Sequence, residues 1–406
     1  MAHVSTGYKC YDFLIIGAGV VGVSIARELR RRFGGRVLVI DKESQAGLHA
    51  SGRNSGVLHA GVYYKAHTLK ARLCVEGNRR MKAYCLEKQL PMNSHGKVIV
   101  TRKASELESL RELHQRSEAN GVRTEIVSSD TLREIEPCAK TVDQALFVKD
   151  TAVVNPQKVM EAIVADSRRE GVEFAFDCSW LGFSGTNVIH TTRESFSYGH
   201  LVNCAGLFAD KVAKALGVGS HFKILPFRGN YYRLSPNSKV TVRGNIYPVP
   251  DLRNPFLGVH FTTRPDGEVT VGPSALPLLG REQYQGFDGI RLQDAWNMMS
   301  YLARLFRKNV DHFRSIAWKE MINLGRSGFF QEAHTLATGL NIQDLLPGTQ
   351  VGIRAQMVNV DTLELMHDFV VENGPRSTHV LNAVSPAFTC SFPFADYVVD
   401  SLANTM

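Results

Sequence analysis

What this chain lacks narrows its class before any motif is read. No apolar run approaches the roughly 18 residues that span a bilayer. The first residues, Met1 to Cys10, hold neither the apolar core of a secretory signal nor an arginine-rich amphipathic leader. The expectation is a cytoplasmic protein, or a mitochondrial one if the source is eukaryotic and a leader has been removed. The seven cysteines (10, 74, 85, 138, 178, 204 and 390) include no Cys-x-x-Cys pair, and their number is odd. That fits buried thiols in a reducing compartment better than a disulfide framework. The fourteen histidines include no His-x-x-x-His pair, so no metal site is expected. Low-complexity tracts and internal repeats are also missing.

What is present is ordinary globular material. With 406 residues, 44% hydrophobic and 21% charged, the chain can build two or three cores. Its formal charge of +8 reads first as a solvated basic surface, and second as attraction for an anionic substrate or an acidic membrane. Nucleic acid is not an expected partner. The basic residues are scattered, and their one dense run, Arg30-Arg31-Arg32, falls at a predicted helix end, where cations suit the dipole.

The N-terminal pattern is specific. Asp12-Phe-Leu-Ile-Ile-Gly17-Ala-Gly19-Val-Val-Gly22 reads as a buried strand, a glycine turn and a helix start. Gly34-Gly35 stop the helix, and a second apolar strand, Val37 to Ile40, ends in Asp41. Gly17 permits the tight turn, Gly19 the approach of a pyrophosphate, and Gly22 the packing of helix on strand. Asp41 can accept hydrogen bonds from both ribose hydroxyls, which argues against a 2′-phosphate and hence against NADP.

After Asp41 the chain enters a long polar stretch, Ser51-Gly-Arg-Asn-Ser-Gly-Val-Leu-His59-Ala-Gly-Val-Tyr-Tyr64, instead of returning through another helix. Its glycines let a backbone approach a ligand, and His59 is a candidate to handle a proton. A later strand, Leu201 to Gly206, reads as part of the same sheet. No second G-x-G-x-x-G appears, so the pattern favours FAD as the only dinucleotide. The cofactor-binding candidates are Gly17, Gly19, Val20, Val21, Gly22, Asp41, Lys42, Ser51, Arg53, Asn54, Ser55, Gly56, Ala205, Gly206, Gly352 and Arg354.

Asp12–Gly22, Val37–Asp41 and Val202–Gly206 together resemble the D-amino-acid-oxidase type of FAD-dependent oxidoreductase. Within that group, Arg53 to Lys65 and Leu69 to Cys74 resemble the L-2-hydroxyglutarate dehydrogenase/oxidase family. So do Pro226 to Tyr231, Gly244 to Asp251, Phe256 to Thr262, Gly352 to Gln356 and Asn382 to Pro386. The likeness runs from about residue 11 to 400. One stretch departs from the family pattern: Ser385-Pro-Ala-Phe-Thr-Cys-Ser-Phe-Pro-Phe394 sets Phe388, Phe392 and Pro393 where small residues and a helix start are usual. This puts packing near the flavin in question.

The resemblance implies an α/β fold: a Rossmann-like FAD-binding domain with an inserted α+β substrate domain. Residues 1–91, 150–216 and 331–406 are expected on the cofactor side, and 92–149 with 217–330 on the substrate side. The second stretch contains a hairpin signal, two alternating runs around Arg264-Pro-Asp-Gly267. The implied reaction is oxidation of L-2-hydroxyglutarate to 2-oxoglutarate by hydride transfer from C2 to flavin N5. An oxidase of an amino acid or another 2-hydroxy acid is the alternative.

Such chemistry requires a carboxylate anchor and a base for the hydroxyl proton. Arg354 and Arg228 are the anchor candidates, because a planar guanidinium binds carboxylate bidentately. His59 and His260 are the candidate bases, which of them acts being open. Among Tyr63, Tyr64, Tyr231 and Tyr247, Tyr247 is the expected contact, and Thr262 is a candidate for the distal carboxylate. The implied partners are a small dicarboxylate and an electron acceptor: quinone, an electron-transfer protein or oxygen. Peripheral association with an inner membrane is a further candidate, although no amphipathic anchor stands out.

Overall fold

The computed structural model describes residues 7–251, 257–322 and 325–403. Phe256, quoted above in a family-like motif, lies outside them. Two sheets carry the architecture. The first has eight strands, with Lys9–Ile16 at its centre between Ser195–Asn203 and Val37–Ile40, both parallel to it. Val172–Ala175 extends it on one side, and Ser377–Asn382 lies parallel to Ser195–Asn203 on the other. Val37–Ile40 is buried at every position, as befits a parallel strand covered on both faces. The helices Val20–Phe33, Pro156–Arg169 and Ala387–Ala403 contribute Ile25, Ile163 and Val398 to the core on one face.

The expected strand at Leu201–Gly206 is the end of Ser195–Asn203, with Asn203 opposite Ile16. This brings the Gly17 turn against the next connection. A Cβ on Gly17 (φ +107°) would lie 2.4 Å from the Cys204 carbonyl oxygen, and one on Gly22 would lie 2.0 Å from the Gly17 oxygen. Only glycine fits either position.

The second sheet has nine strands and joins segments far apart in the chain. Lys97–Val100 lies parallel to Asn245–Pro248, which pairs with His260–Thr263, which pairs with Val269–Gly272. The last two form the expected hairpin, closed by Arg264 N–H to the Glu268 carbonyl at 2.9 Å. A long helix, Leu292–Lys308, follows these strands.

One segment differs from its assignment to the cofactor side. Leu345–Asn359 runs antiparallel along almost the whole of Phe222–Leu234, from Phe222 opposite Asn359 to Leu234 opposite Leu345. The physical reason is that the thirteen-residue strand Phe222–Leu234 needs a partner for its row of backbone donors and acceptors. Phe329, Ala333, Leu336 and Leu340 also pack with Val98, Ile246 and Phe261 of this sheet. We therefore propose a substrate-side unit of 92–149 with 217–359.

A small third sheet, Val57–Leu58 and Met92–Asn93 on either side of Ala152–Val154, ties the polar stretch between the two larger ones.

Candidate active site

The two sheets enclose a cavity of about 1180 Å³, larger than the roughly 300–1,000 Å³ of usual small-molecule pockets. Its dinucleotide end is built by the glycine turn. Helix Val20–Phe33 begins at Gly19 with no side-chain cap from that residue, and the Val20 N–H donates to Ser51 Oγ at 2.9 Å. A Cβ on Gly19 would lie 3.1 Å from the same oxygen, so glycine keeps the cradle open. Helix N–H groups and the dipole make this end receptive to phosphate.

Asp41 closes the strand next door. Its carboxylate accepts Ala18 N–H at 2.6 Å and Glu43 N–H at 2.9 Å, which orients it and leaves lone pairs for a ribose. Burial pushes its pKa up against those two hydrogen bonds. Lys42 beside it pairs with Glu43 and, at 2.8 Å, with Glu282 from the second unit. His49 joins the same cluster at 3.1 Å from Lys42 Nζ.

The polar stretch is held by its own side chains. Arg53 Nε donates to the Leu48 carbonyl at 2.7 Å, and its guanidinium lies 4.4 Å from the Tyr284 ring centroid. Asn54 donates to the Ser51 carbonyl at 2.7 Å and accepts Gly56 N–H at 2.8 Å. Gly352 meets this stretch so closely that a Cβ would lie 2.7 Å from the Arg53 carbonyl oxygen. Gly17, Gly19, Val20, Val21, Gly22, Asp41, Lys42, Ser51, Arg53, Asn54, Ser55, Ala205, Gly206, Gly352 and Arg354 all line the cavity.

Gly56 does not. At φ +75°, it presses on the Val154 oxygen, which a Cβ would approach to 2.1 Å, so its role is the pairing of Val57–Leu58 with Ala152–Val154. Arg228 is also off the wall, although its neighbours Phe227 and Gly229 line it. Strand alternation sends successive side chains to opposite faces, which removes Arg228 from the anchor candidates. Thr262 is likewise not on the wall.

At the substrate end, His59, His260, Tyr247 and Arg354 share the cavity with Tyr63, Tyr64 and Tyr231. The His59 backbone is gripped from both sides, its N–H donating to Thr389 Oγ1 and its carbonyl accepting from Cys74 Sγ, each at 3.2 Å. His59 Nδ1 is buried without a hydrogen-bond partner among the described residues. His260 Nδ1 lies 2.8 Å from the Gly258 carbonyl oxygen. A carbonyl only accepts, so Nδ1 carries the proton and Nε2 of the neutral ring is a free base.

Both imidazoles are held neutral. Burial is the main cause of a His59 pKa near 3, reinforced by Lys97 and His260. Burial also sets His260 at about 3, with Lys97 adding to it and the Gly258 hydrogen bond opposing it. Burial lowers Arg354 to about 10, which leaves it cationic at neutral pH.

Sequence reasoning missed Lys97. It is 1% exposed, with Nζ 3.1 Å from Tyr63 Oη and over the Tyr63 and Tyr247 rings at 4.4 and 5.0 Å. Burial lowers its pKa to about 7. The available signal was a lysine heading a wholly apolar strand, but lysines are overwhelmingly surface residues.

The unusual Phe388–Phe394 stretch divides its aromatics. Phe388 lines the cavity, whereas Phe392 packs edge-on against Tyr84 at 5.2 Å. Helix Ala387–Ala403 continues through Pro393. Proline cannot donate to the Thr389 carbonyl four residues back, and that oxygen instead faces Gly77, where a Cβ would come within 2.4 Å.

Comparison with known proteins agrees with this geometry. A family model described as FAD dependent oxidoreductase matches residues 12–400. The chain is 36% identical over 403 residues to L-2-hydroxyglutarate dehydrogenase of Escherichia coli (strain K12), covering 98% of this chain and 94% of that one. It is 32% identical over 422 residues to mitochondrial L-2-hydroxyglutarate dehydrogenase of Homo sapiens, covering 98% and 90%. L-alpha-glycerophosphate oxidase from Mycoplasma pneumoniae, solved with FAD bound, shares the fold with a TM-score of 0.77 at 20% identity, over 97% of this chain and 95% of that one. Glycine oxidase from Geobacillus kaustophilus does so at 0.70 and 16% identity, over 98% and 95%. The glycine cradle, the oriented Asp41 and the long cavity fit a flavin dinucleotide, and FAD is the cofactor. The chain belongs to the DAO family of FAD dependent oxidoreductases, within its L-2-hydroxyglutarate dehydrogenase group.

Proposed function

We propose that this protein oxidises L-2-hydroxyglutarate to 2-oxoglutarate. The observation that carries the reading is the meeting of a base-ready histidine and a cavity-lining arginine at one end of a dinucleotide cradle. When bound, FAD supplies a two-electron acceptor at flavin N5 for the hydride leaving C2. Arg354 binds the carboxylate beside the alcohol through its planar fork. The hydroxyl proton passes to a neutral imidazole, and the fixed tautomer of His260 supports Nε2 as the acceptor. His59 is the second candidate on the same wall. The aromatic rings of Tyr63, Tyr64, Tyr231 and Tyr247 line this end.

Anaerobic addition of L-2-hydroxyglutarate to the holoenzyme is expected to bleach the flavin, and D-2-hydroxyglutarate is not. Failure of the L-isomer to bleach it, with bleaching by an amino acid or another 2-hydroxy acid, would replace the substrate assignment.

The two electrons taken from the substrate would leave the protein for an acceptor: quinone, an electron-transfer protein or oxygen. Among the described residues no helix is long and apolar enough to cross a membrane. Peripheral attachment to an anionic inner-membrane surface is supported by helix Leu292–Lys308 and its neighbour Phe313–Ile322. Leu292, Trp296, Met299 and Phe306 form an exposed stripe at helical spacing, and Trp318 and Ile322 extend it. Exposed Arg291, Arg307, Lys308 and Arg314 flank these side chains, the combination that anionic headgroups and acyl chains attract. No amphipathic anchor stood out in the sequence, and helix Leu292–Lys308 is the candidate for one.

A further inference from the structure

We propose that Lys70 is a substrate-binding residue that takes the second carboxylate of the dicarboxylate, with Arg354 holding the one beside the alcohol. The inference rests on the substrate reading above.

Lys70 is the second residue of helix Leu69–Glu87, lines the cavity and is only 5% exposed. Its Nζ lies 5.6 Å from the Phe369 ring centroid and 5.9 Å from that of Tyr64. Among the described residues no carboxylate forms an ion pair with it, and no acceptor forms a hydrogen bond with Nζ. The nearest acid is already engaged. Asp368 accepts the N–H groups of Leu69 and Lys70 at 3.1 Å each and that of Phe369 at 2.8 Å, capping the helix start.

A buried ammonium without a partner is strongly unfavourable, and the first turn of a helix makes it more so, because the dipole is positive there. Arg354 adds a second cation on the same wall. Among the described residues no acid pairs with the Lys70 ammonium, whereas the second carboxylate of a dicarboxylate ligand would. The groups facing Lys70 are Arg354, Asp368, Tyr64, Cys74 and Cys390; burial first, then Arg354, hold its pKa down to about 7 against Asp368. A bound carboxylate would restore full protonation.

The test uses FAD-loaded wild type, Lys70→Met and Lys70→Arg. Two unreactive ligands, glutarate and butyrate, are titrated through the perturbation they cause in the flavin absorption spectrum. Glutarate binding is expected to weaken on the order of 30-fold in Lys70→Met, with substantial recovery in Lys70→Arg and less than about a twofold change for butyrate. KM for L-2-hydroxyglutarate should rise in parallel, with FAD content unchanged. Equal losses for both ligands, no loss for either, or a shifted flavin reduction potential with normal glutarate affinity would each overturn the assignment. If wild-type flavin is reduced by L-2-hydroxyglutarate while Lys70→Met binds glutarate normally, only the role of Lys70 fails. If wild type is not reduced, the substrate reading fails first and takes this proposal with it.

Discussion

The rings of Tyr247 and His260 lie stacked, their centroids 3.8 Å apart and their planes 19° from parallel. The strand register explains the contact: Ile246 opposes Phe261, which sets Tyr247 opposite His260 on the cavity face. One side of the imidazole is thereby fixed by an aromatic plane, and its edge is fixed by the Gly258 carbonyl at 2.8 Å. A base aimed by two independent contacts loses little freedom when substrate arrives.

His260→Asn should therefore lower kcat by about 10²- to 10⁴-fold with FAD still bound, the usual range for removing a positioned base. His59→Asn should lower it less if His260 is the acceptor. Stopped-flow measurement of flavin reduction separates the two, and a larger loss in His59→Asn would transfer the role. Tyr247→Phe keeps the stack and should leave the reduction rate within about threefold.

Replacing Arg354 by Met should raise KM for L-2-hydroxyglutarate on the order of 100-fold or abolish turnover, because a charge-assisted bidentate contact is removed. Arg228→Met should leave the kinetics near wild type, since Arg228 is off the cavity wall. Steady-state kinetics on the two variants check the pair together. Equal KM defects would mean that both arginines serve the substrate.

Stability should fall in acid. His59 and His260 sit near 3, and His200 and His379 near 4, all lowered chiefly by burial from an ordinary value of about 6.5. The unfolded chain thus binds more protons than the folded one below about pH 6.5, so unfolding free energy rises with pH across that window. The stability contribution is present above about 6.5 and is lost as pH falls towards 4 and then 3. Thermal melts of holoenzyme between pH 8 and 4 should show a progressive loss of Tm beginning near 6.5. A flat profile would mean that these imidazoles are not buried as neutral rings.

The Leu292–Ile322 face should bind vesicles. Trp296→Glu combined with Phe306→Glu is expected to weaken binding to vesicles containing phosphatidylserine by about tenfold or more, while flavin reduction in solution is unchanged. Co-sedimentation at low and high salt measures this. Absence of vesicle binding by wild type, with a concentration-dependent dimer that the double variant loses, would assign the face to a second copy of the chain.

The legible part of this protein was local. Gly17, Gly19, Gly22 and Asp41 lie within about 30 residues, and each answers a steric or hydrogen-bonding demand that the sequence pattern states directly. The hairpin at Arg264–Gly267 is similar, since turn chemistry is local. Gly56 shows the limit of such reading. It stands among cofactor-facing residues, yet its positive φ serves the pairing with Val154.

The sequence by itself determined the dinucleotide cradle, the family and the set of polar residues from which a site is drawn. Tertiary structure decided which of them meet. Arg354 reaches the cavity and Arg228 does not, although they lie one register step apart on the paired strands Phe222–Leu234 and Leu345–Asn359. Tyr247 faces His260 through cross-strand register, and Lys70 and Lys97 are buried by elements distant in sequence. Burial and register are sums over contacts between remote segments. A lysine that reads as surface in the sequence therefore becomes a buried charge in need of an anion only after the chain has folded.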